Sequence, residues 1–209
     1  MKHSTKTYES KREIILDAAI KVFAKKGYFG SRVSDIAEEA GISYGLVYRY
    51  FQSKDDVLIA IFQDRWDRYV KMIERINKDF FDPRDKIRSI FLYIFKSYQN
   101  NPDMMKVLIM DAPMLDNFYE KENQNLYQRV FKEIASIVED GQSKGIFNTG
   151  VSPILGAYIL NGAVDSVIRQ YVYSSDELNE RKISVSDARD QIVDFLVNGF
   201  SVGSKEDGG

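Results

Sequence analysis

The sequence predicts an all-α protein of about nine helices, and three observations carry that prediction. Apolar residues recur at three- and four-residue intervals along most of the chain. The four prolines, at 83, 102, 113 and 153, leave long stretches uninterrupted. No alternating run of Val, Ile or Thr between paired turn signals proposes a hairpin.

The helices follow in order. Residues 10–26 carry Ile14, Ile15, Ala18, Ala19, Val22 and Phe23 on one face, and Gly27 suits a left-handed close. Short second and third helices cover 33–40 and 43–51. Ser53 caps a long fourth helix to about residue 79, with Asp55 and Asp56 in its first turn where the helix dipole favours anions. Its stripe runs from Val57 and Leu58 through Ile61, Phe62, Tyr69, Met72 and Ile73 to Ile76. Asp82-Pro83 opens a fifth helix, and Asn101-Pro102 ends it and begins a methionine-rich sixth to about 117, bent at Pro113. A seventh spans about 119–144 and closes at Gly145, an eighth runs from Ser152-Pro153 to about 174, and a ninth covers about 187–202. The polar stretch 174–187 reads as a loop, 1–9 as a flexible arm and 204–209 as a disordered tail.

Composition narrows the function. No apolar run nears the ~20 residues of a membrane span, and MKHSTKTYESKRE lacks the apolar core of a signal peptide, so a cytoplasmic protein without membrane association is expected. There is no cysteine, and the single histidine, His3, lies in the polar N-terminus. Metal-ligand spacing and a phosphate loop are missing, and the carboxylate pairs Glu38/Glu39 and Asp55/Asp56 are adjacent, hence on different helix faces. No catalytic residue, metal or cofactor is therefore expected, and an enzyme is disfavoured. Residues 1–54 hold 10 Lys and Arg against 6 Asp and Glu, whereas the remainder holds 19 against 25. A basic end on an acidic body suggests one anion-binding face.

That face lies in 33–51, VSDIAEEAGISYGLVYRYF. Ala37, Gly41 and Val47 stand at offsets of four and ten residues: a small residue at a helix crossing, a glycine at the corner, and a branched apolar side chain opposite. This spacing is that of a helix-turn-helix, with Ile36, Ile42, Tyr50 and Phe51 also turned inward. The outward positions are Ser43, Tyr44, Gly45, Leu46, Tyr48 and Arg49. Hydroxyls and helix-start amides suit phosphate oxygens, Arg49 suits a phosphate or a guanine edge, Leu46 a thymine methyl, and Gly45 allows close approach. Lys54, opening the fourth helix, is expected to address the flanking DNA backbone. A structural adaptor would leave Tyr48 and Lys54 unexplained.

These residues resemble the TetR family of transcriptional regulators. The likeness runs through 15–58, about a fifth of the chain: an apolar first helix ending in Gly-Tyr, then Asp-Ile-Ala, Ala-Gly-Ile-Ser, Gly-x-x-Tyr and Phe-x-x-Lys. It implies DNA contacts at Val33, Ser43, Tyr44, Gly45, Leu46, Tyr48, Arg49, Tyr50 and Lys54. Tyr44, Arg49 and Tyr50 depart from common family choices, which bears on operator sequence. The resemblance further implies a DNA-binding domain over 1–54 joined by the long fourth helix to an effector-binding and dimerisation domain over 55–203. It implies a homodimer on double-stranded operator DNA, acting as a repressor released from a palindrome by a hydrophobic small molecule.

The expected dimer seam joins the last two helices, through Gly156, Ala163, Ile192, Phe195, Leu196 and Phe200. Candidate effector contacts are the soft and aromatic Trp66, Phe91, Phe95, Met105, Met110 and Phe131, with a polar ladder of Asn161, Asp165 and Arg169. Asp165 and Arg169 also suit a simple helical ion pair. From QSKGIFNTGVSP to IVDFLVNGF the chain is similar to TetR-type regulators of fatty-acid metabolism that respond to long-chain acyl-CoA. The alternative is a regulator of multidrug efflux responding to aromatic or cationic drugs.

Overall fold

The computed structural model describes residues 2–173 and 183–200, which form an all-α fold. The helices are α1 (Lys2–Lys26), α2 (Val33–Glu39), α3 (Tyr44–Tyr48), α4 (Lys54–Asp79), α5 (Pro83–Asn100), α6 (Pro102–Lys106), α7 (Lys121–Ser143), α8 (Pro153–Tyr173) and α9 (Val185–Phe200). Helix α1 begins at Lys2 rather than at residue 10, because nothing between 2 and 9 stops a helix: the stretch has no Pro or Gly. Most of the expected 174–187 loop, and the 204–209 tail, lie outside the described residues.

The expected bent sixth helix is instead a series of turns of changing pitch. After α6 comes a π-helical turn, Val107–Asp111, in which the Ala112 amide donates back to the Val107 carbonyl. Short 3-10 turns follow at Ala112–Met114 and Asp116–Tyr119. Pro113 has no amide to continue an α-helical ladder.

The chain packs as two compact units: Met1–Asp67 with Asn101–Gln124, and Arg68–Asn100 with Asn125–Gly209. These are packing units; the 54/55 division expected from the sequence concerns function. In the first, Ile15, Ala19 and Phe23 of α1, Ile36 and Ala37 of α2, Val47 of α3, and Leu58 and Phe62 of α4 are buried. Each of the larger side chains among them contributes about 1.5–3 kcal/mol by leaving water, and the alanines less. Polar ties fix this unit as well. Arg65 of α4 pairs with Glu13 (3.2 Å) and Asp17 (2.9 Å) of α1, and Lys106 donates to the Ala24 carbonyl at the C-terminal end of α1 (2.8 Å).

The second unit is built on apolar stripes. Ile87, Ile90, Phe91 and Phe95 of α5, Val130, Ile134 and Val138 of α7, and Val193, Leu196 and Val197 of α9 are buried. Helix α8 buries Gly156, Ala157, Leu160, Val164 and Ile168, and leaves Ile154, Leu155, Tyr158 and Ile159 exposed. Among the described residues no helix is long and apolar enough to cross a membrane.

Candidate nucleic-acid interface

The corner between α2 and α3 forms as its spacing requires. The Ile42 amide donates to the Ala37 carbonyl (3.0 Å) and the Gly41 amide to the Glu38 carbonyl (3.1 Å), closing α2 in a Schellman arrangement. This places Gly41 at φ 64°, where a side chain would be strained. Ile36, Ala37, Val47 and Phe51 are buried beneath the corner, while Ile42 and Tyr50 are half-buried. Helix α3 stops at Tyr48, short of the expected residue 51; Arg49 is its C-cap, and the Tyr50 amide donates to the Val47 carbonyl (3.0 Å) in the turn that follows.

On the outer side of α3, Tyr44 is 52% exposed and Tyr48 43%, against 1% for Val47 between them. Their rings meet edge to face with centroids 4.9 Å apart, and the Tyr44 hydroxyl donates to that of Tyr48 (3.1 Å). The hydroxyl bond with Tyr44 holds the Tyr48 phenol above its ordinary value; like any phenol it is neutral at physiological pH and can meet a phosphate oxygen as a hydrogen-bonding group. Ser43 precedes α3 in an extended conformation, and its side chain makes no capping bond. A Cβ on Gly45 would meet nothing within 4 Å; the protein itself does not need a glycine there. Arg49 is exposed, and Leu46 and Val33 lie half-buried at the margins of the face. At the start of α2 the Asp35 carboxylate accepts the Arg32 amide (2.8 Å) and pairs with Lys26 (2.8 Å). The Lys26 ammonium holds the Asp35 carboxyl below the usual carboxylate range.

Lys54 is placed differently from the sequence expectation. Its ammonium donates to the Tyr28 carbonyl (2.6 Å) and the Ser31 carbonyl (2.9 Å), and lies 4.2 Å from the centroid of the Tyr28 ring. It is engaged by the α1–α2 loop. Next to it, Asp55 accepts the Tyr28 hydroxyl. Burial first, and Asp55 second, push that phenol far up. Sequence reasoning missed Tyr28, Ser31 and Asp55, because the contacts join residues more than 20 positions apart and no local spacing announces them.

The expected effector residues fall in both packing units. Trp66, Met105 and Met110 belong to the first unit, and Phe91, Phe95, Phe131, Asn161, Asp165 and Arg169 to the second. Trp66 stacks on Phe62 (5.1 Å between centroids), and Phe131 meets Tyr158 edge to face (4.8 Å). Arg169 pairs with Asp165 (3.1 Å) and also reaches the Tyr173 hydroxyl (3.4 Å). Of the expected seam residues, Gly156 and Leu196 are buried in the protomer's own core, and Ala163 and Ile192 are half-buried. Phe195 is 76% exposed, and the side chain of Phe200 lies outside those described. Helix α8 carries apolar residues both inside and outside its buried stripe, so periodicity alone does not separate the two.

Comparison with known proteins places this geometry. Residues 15–61 match the family model for bacterial regulatory proteins of the tetR family, and residues 83–197 match that for the tetracyclin repressor-like C-terminal domain. A fatty acid metabolism regulator protein of Bacillus subtilis is 23% identical over 186 residues, 89% of this chain and 93% of that protein. The transcriptional repressor NicS of Pseudomonas putida is 27% identical over 152 residues, 71% of each chain. A crystal structure of the regulator FadR from Bacillus subtilis, in complex with stearoyl-CoA, superposes with a TM-score of 0.78 at 22% identity, covering 90% of this chain and 98% of that one. With both segments matched, the second of them over more than half its length, the chain belongs to the tetR family of bacterial regulatory proteins: ligand-responsive, DNA-binding transcriptional regulators that function as dimers and are not enzymes.

Proposed function

We propose that this regulator is a cytoplasmic repressor that holds a palindromic operator as a homodimer and releases it on binding a long-chain acyl-CoA. The observation that carries the DNA part is the outer face of α3, with two exposed phenols bonded to each other over a buried valine. On this reading Ser43, Tyr44, Tyr48 and Tyr50 meet phosphates, Arg49 and Leu46 meet base edges, Gly45 admits the groove wall, and Val33 abuts the backbone at the start of α2. A second copy doubles these few contacts, and two-fold symmetry matches a palindrome. The surface offered for pairing is the exposed apolar face of α8, Ile154, Leu155, Tyr158 and Ile159, with Phe195 of α9.

The acyl-CoA assignment is supported by the likeness, along most of the chain, to a regulator of fatty acid metabolism and to the fold that was crystallised with stearoyl-CoA. Release requires only that the ligand bind the operator-incompetent form more tightly, by about 1–3 kcal/mol. The test is fluorescence anisotropy on a duplex from upstream of the protein's own gene, titrated with stearoyl-CoA, free coenzyme A and a panel of cationic and aromatic drugs. Release by stearoyl-CoA alone is expected. Release by the drugs alone would replace the fatty-acid reading with one of efflux control, and no duplex binding would remove both.

A further inference from the structure

The α1–α2 loop is held by the first residues of α4 in a way that DNA reading alone does not explain. Tyr28 is engaged on four sides. Its carbonyl accepts the Ser31 hydroxyl (2.7 Å) and the Lys54 ammonium (2.6 Å), its ring carries that ammonium, its hydroxyl donates to Asp55, and its amide donates to the Asp111 carboxylate. Lys54 also reaches the Ser31 carbonyl (2.9 Å), and Ser31 is buried. Arg32 and Val33, where α2 starts, come directly after Ser31, and α2 carries α3 across the Gly41 corner. The position of this loop therefore sets where the reading helix lies relative to α4.

We propose that Lys54 is a positioning residue of the DNA-reading unit, acting through the Tyr28–Ser31 loop, and that its ammonium is not a phosphate contact. The inference rests on operator binding through α3. An ammonium has three N–H donors; two of Lys54's are directed at carbonyls, and the charge lies over an aromatic face. To reach a phosphate it would give up its bonds to two backbone oxygens of a partly buried loop, of which only the Tyr28 carbonyl keeps another donor, the Ser31 hydroxyl, and that loss is unfavourable. A glutamine at this position keeps two N–H donors and loses the charge; a methionine keeps the reach and loses both.

The experiment compares parent, Lys54→Gln and Lys54→Met, each shown folded by circular dichroism, for affinity to a mixed-sequence duplex and to the upstream duplex across a salt series, well below the melting temperature. Binding by the parent checks the reading of α3 by itself. A positioning role predicts about a tenfold loss of affinity for the upstream duplex in Lys54→Met, substantial recovery in Lys54→Gln, and the parental slope of log affinity against log salt in both. A phosphate contact predicts equal losses in the two variants and a slope shallower by about one unit, and would overturn the proposal. A lowered melting temperature with unchanged affinity for both duplexes would also overturn it, leaving Lys54 as a stabilising tie only.

Discussion

Helices α3 and α8 both turn large side chains to solvent, and they do so with opposite chemistry. On α3 the exposed groups are two phenols bonded hydroxyl to hydroxyl, with a glycine between them that has empty space above it. On the first two turns of α8 they are Ile154, Leu155 and Ile159 with one phenol, Tyr158, and the other exposed phenol of the helix, Tyr173, stands at its far end. A phenol pair can face a hydrated polyanion and keep its hydroxyls bonded throughout. An aliphatic face gains nothing from a phosphate and gains most from being covered by another apolar surface. On the proposed reading, one helix meets a duplex and the other a second copy of the chain.

The largest effect should come from breaking the α8 side of this contrast. Leu155→Glu with Ile159→Glu puts carboxylates on the exposed face and spares the buried Leu160 and Val164 stripe. Sedimentation should shift from dimer to monomer, and operator affinity should fall about 10²–10⁴-fold, the avidity lost when two linked half-sites are uncoupled. A persistent dimer would place the seam on another surface. Next comes Arg49→Ala, expected to cost about 1–3 kcal/mol of operator binding and to relax preference at one base step. A loss that is uniform across sequences would move Arg49 to the backbone. Gly45→Ala sharpens the contrast further, because binding and stability should move in opposite directions. An alanine there clashes with nothing in the protein, so helix propensity should stabilise the fold by about 0.5–1 kcal/mol. The added methyl should nevertheless weaken operator binding by about tenfold. Unchanged binding would mean that no groove wall comes close.

The same two helices mark how far the sequence could be read. The α2–α3 corner was legible because its determinants are local: Ala37, Gly41 and Val47 are set by one turn and one crossing, and the Ile42-to-Ala37 bond closes within five residues. The clasp on Tyr28 was not, since Lys54 and Asp55 come from a different helix and their chemistry, a charge on backbone carbonyls and a carboxylate on a phenol, has no periodic signature. On α8 the element was evident and its orientation was not. With Gly156 and Ala157 inward and Leu155 and Tyr158 outward, burial there follows the neighbouring helices more than side-chain hydrophobicity. The π-helical turn before Pro113 was likewise hidden, because a residue without an amide signals an interruption and leaves open how the backbone absorbs it.

The smallest expected effect separates the outer face of α8 from its polar ladder. Asp165 and Arg169 pair one turn apart, and both remain partly exposed, at 43% and 35%. An exposed pair at this spacing contributes about 0.3–0.5 kcal/mol, and Arg169 has the Tyr173 hydroxyl as a second partner. Arg169→Gln should therefore lower the unfolding free energy by no more than about 0.5 kcal/mol, leave sedimentation and operator affinity unchanged, and preserve release by stearoyl-CoA. Chemical denaturation, sedimentation and the anisotropy titration, run on one preparation, read all of these. Loss of release with stability intact would make the ladder part of the effector site, its guanidinium answering a ligand anion more than Asp165. A shift to monomer would instead extend the pairing face of α8 across the ladder, joining the aliphatic patch to a charged rim.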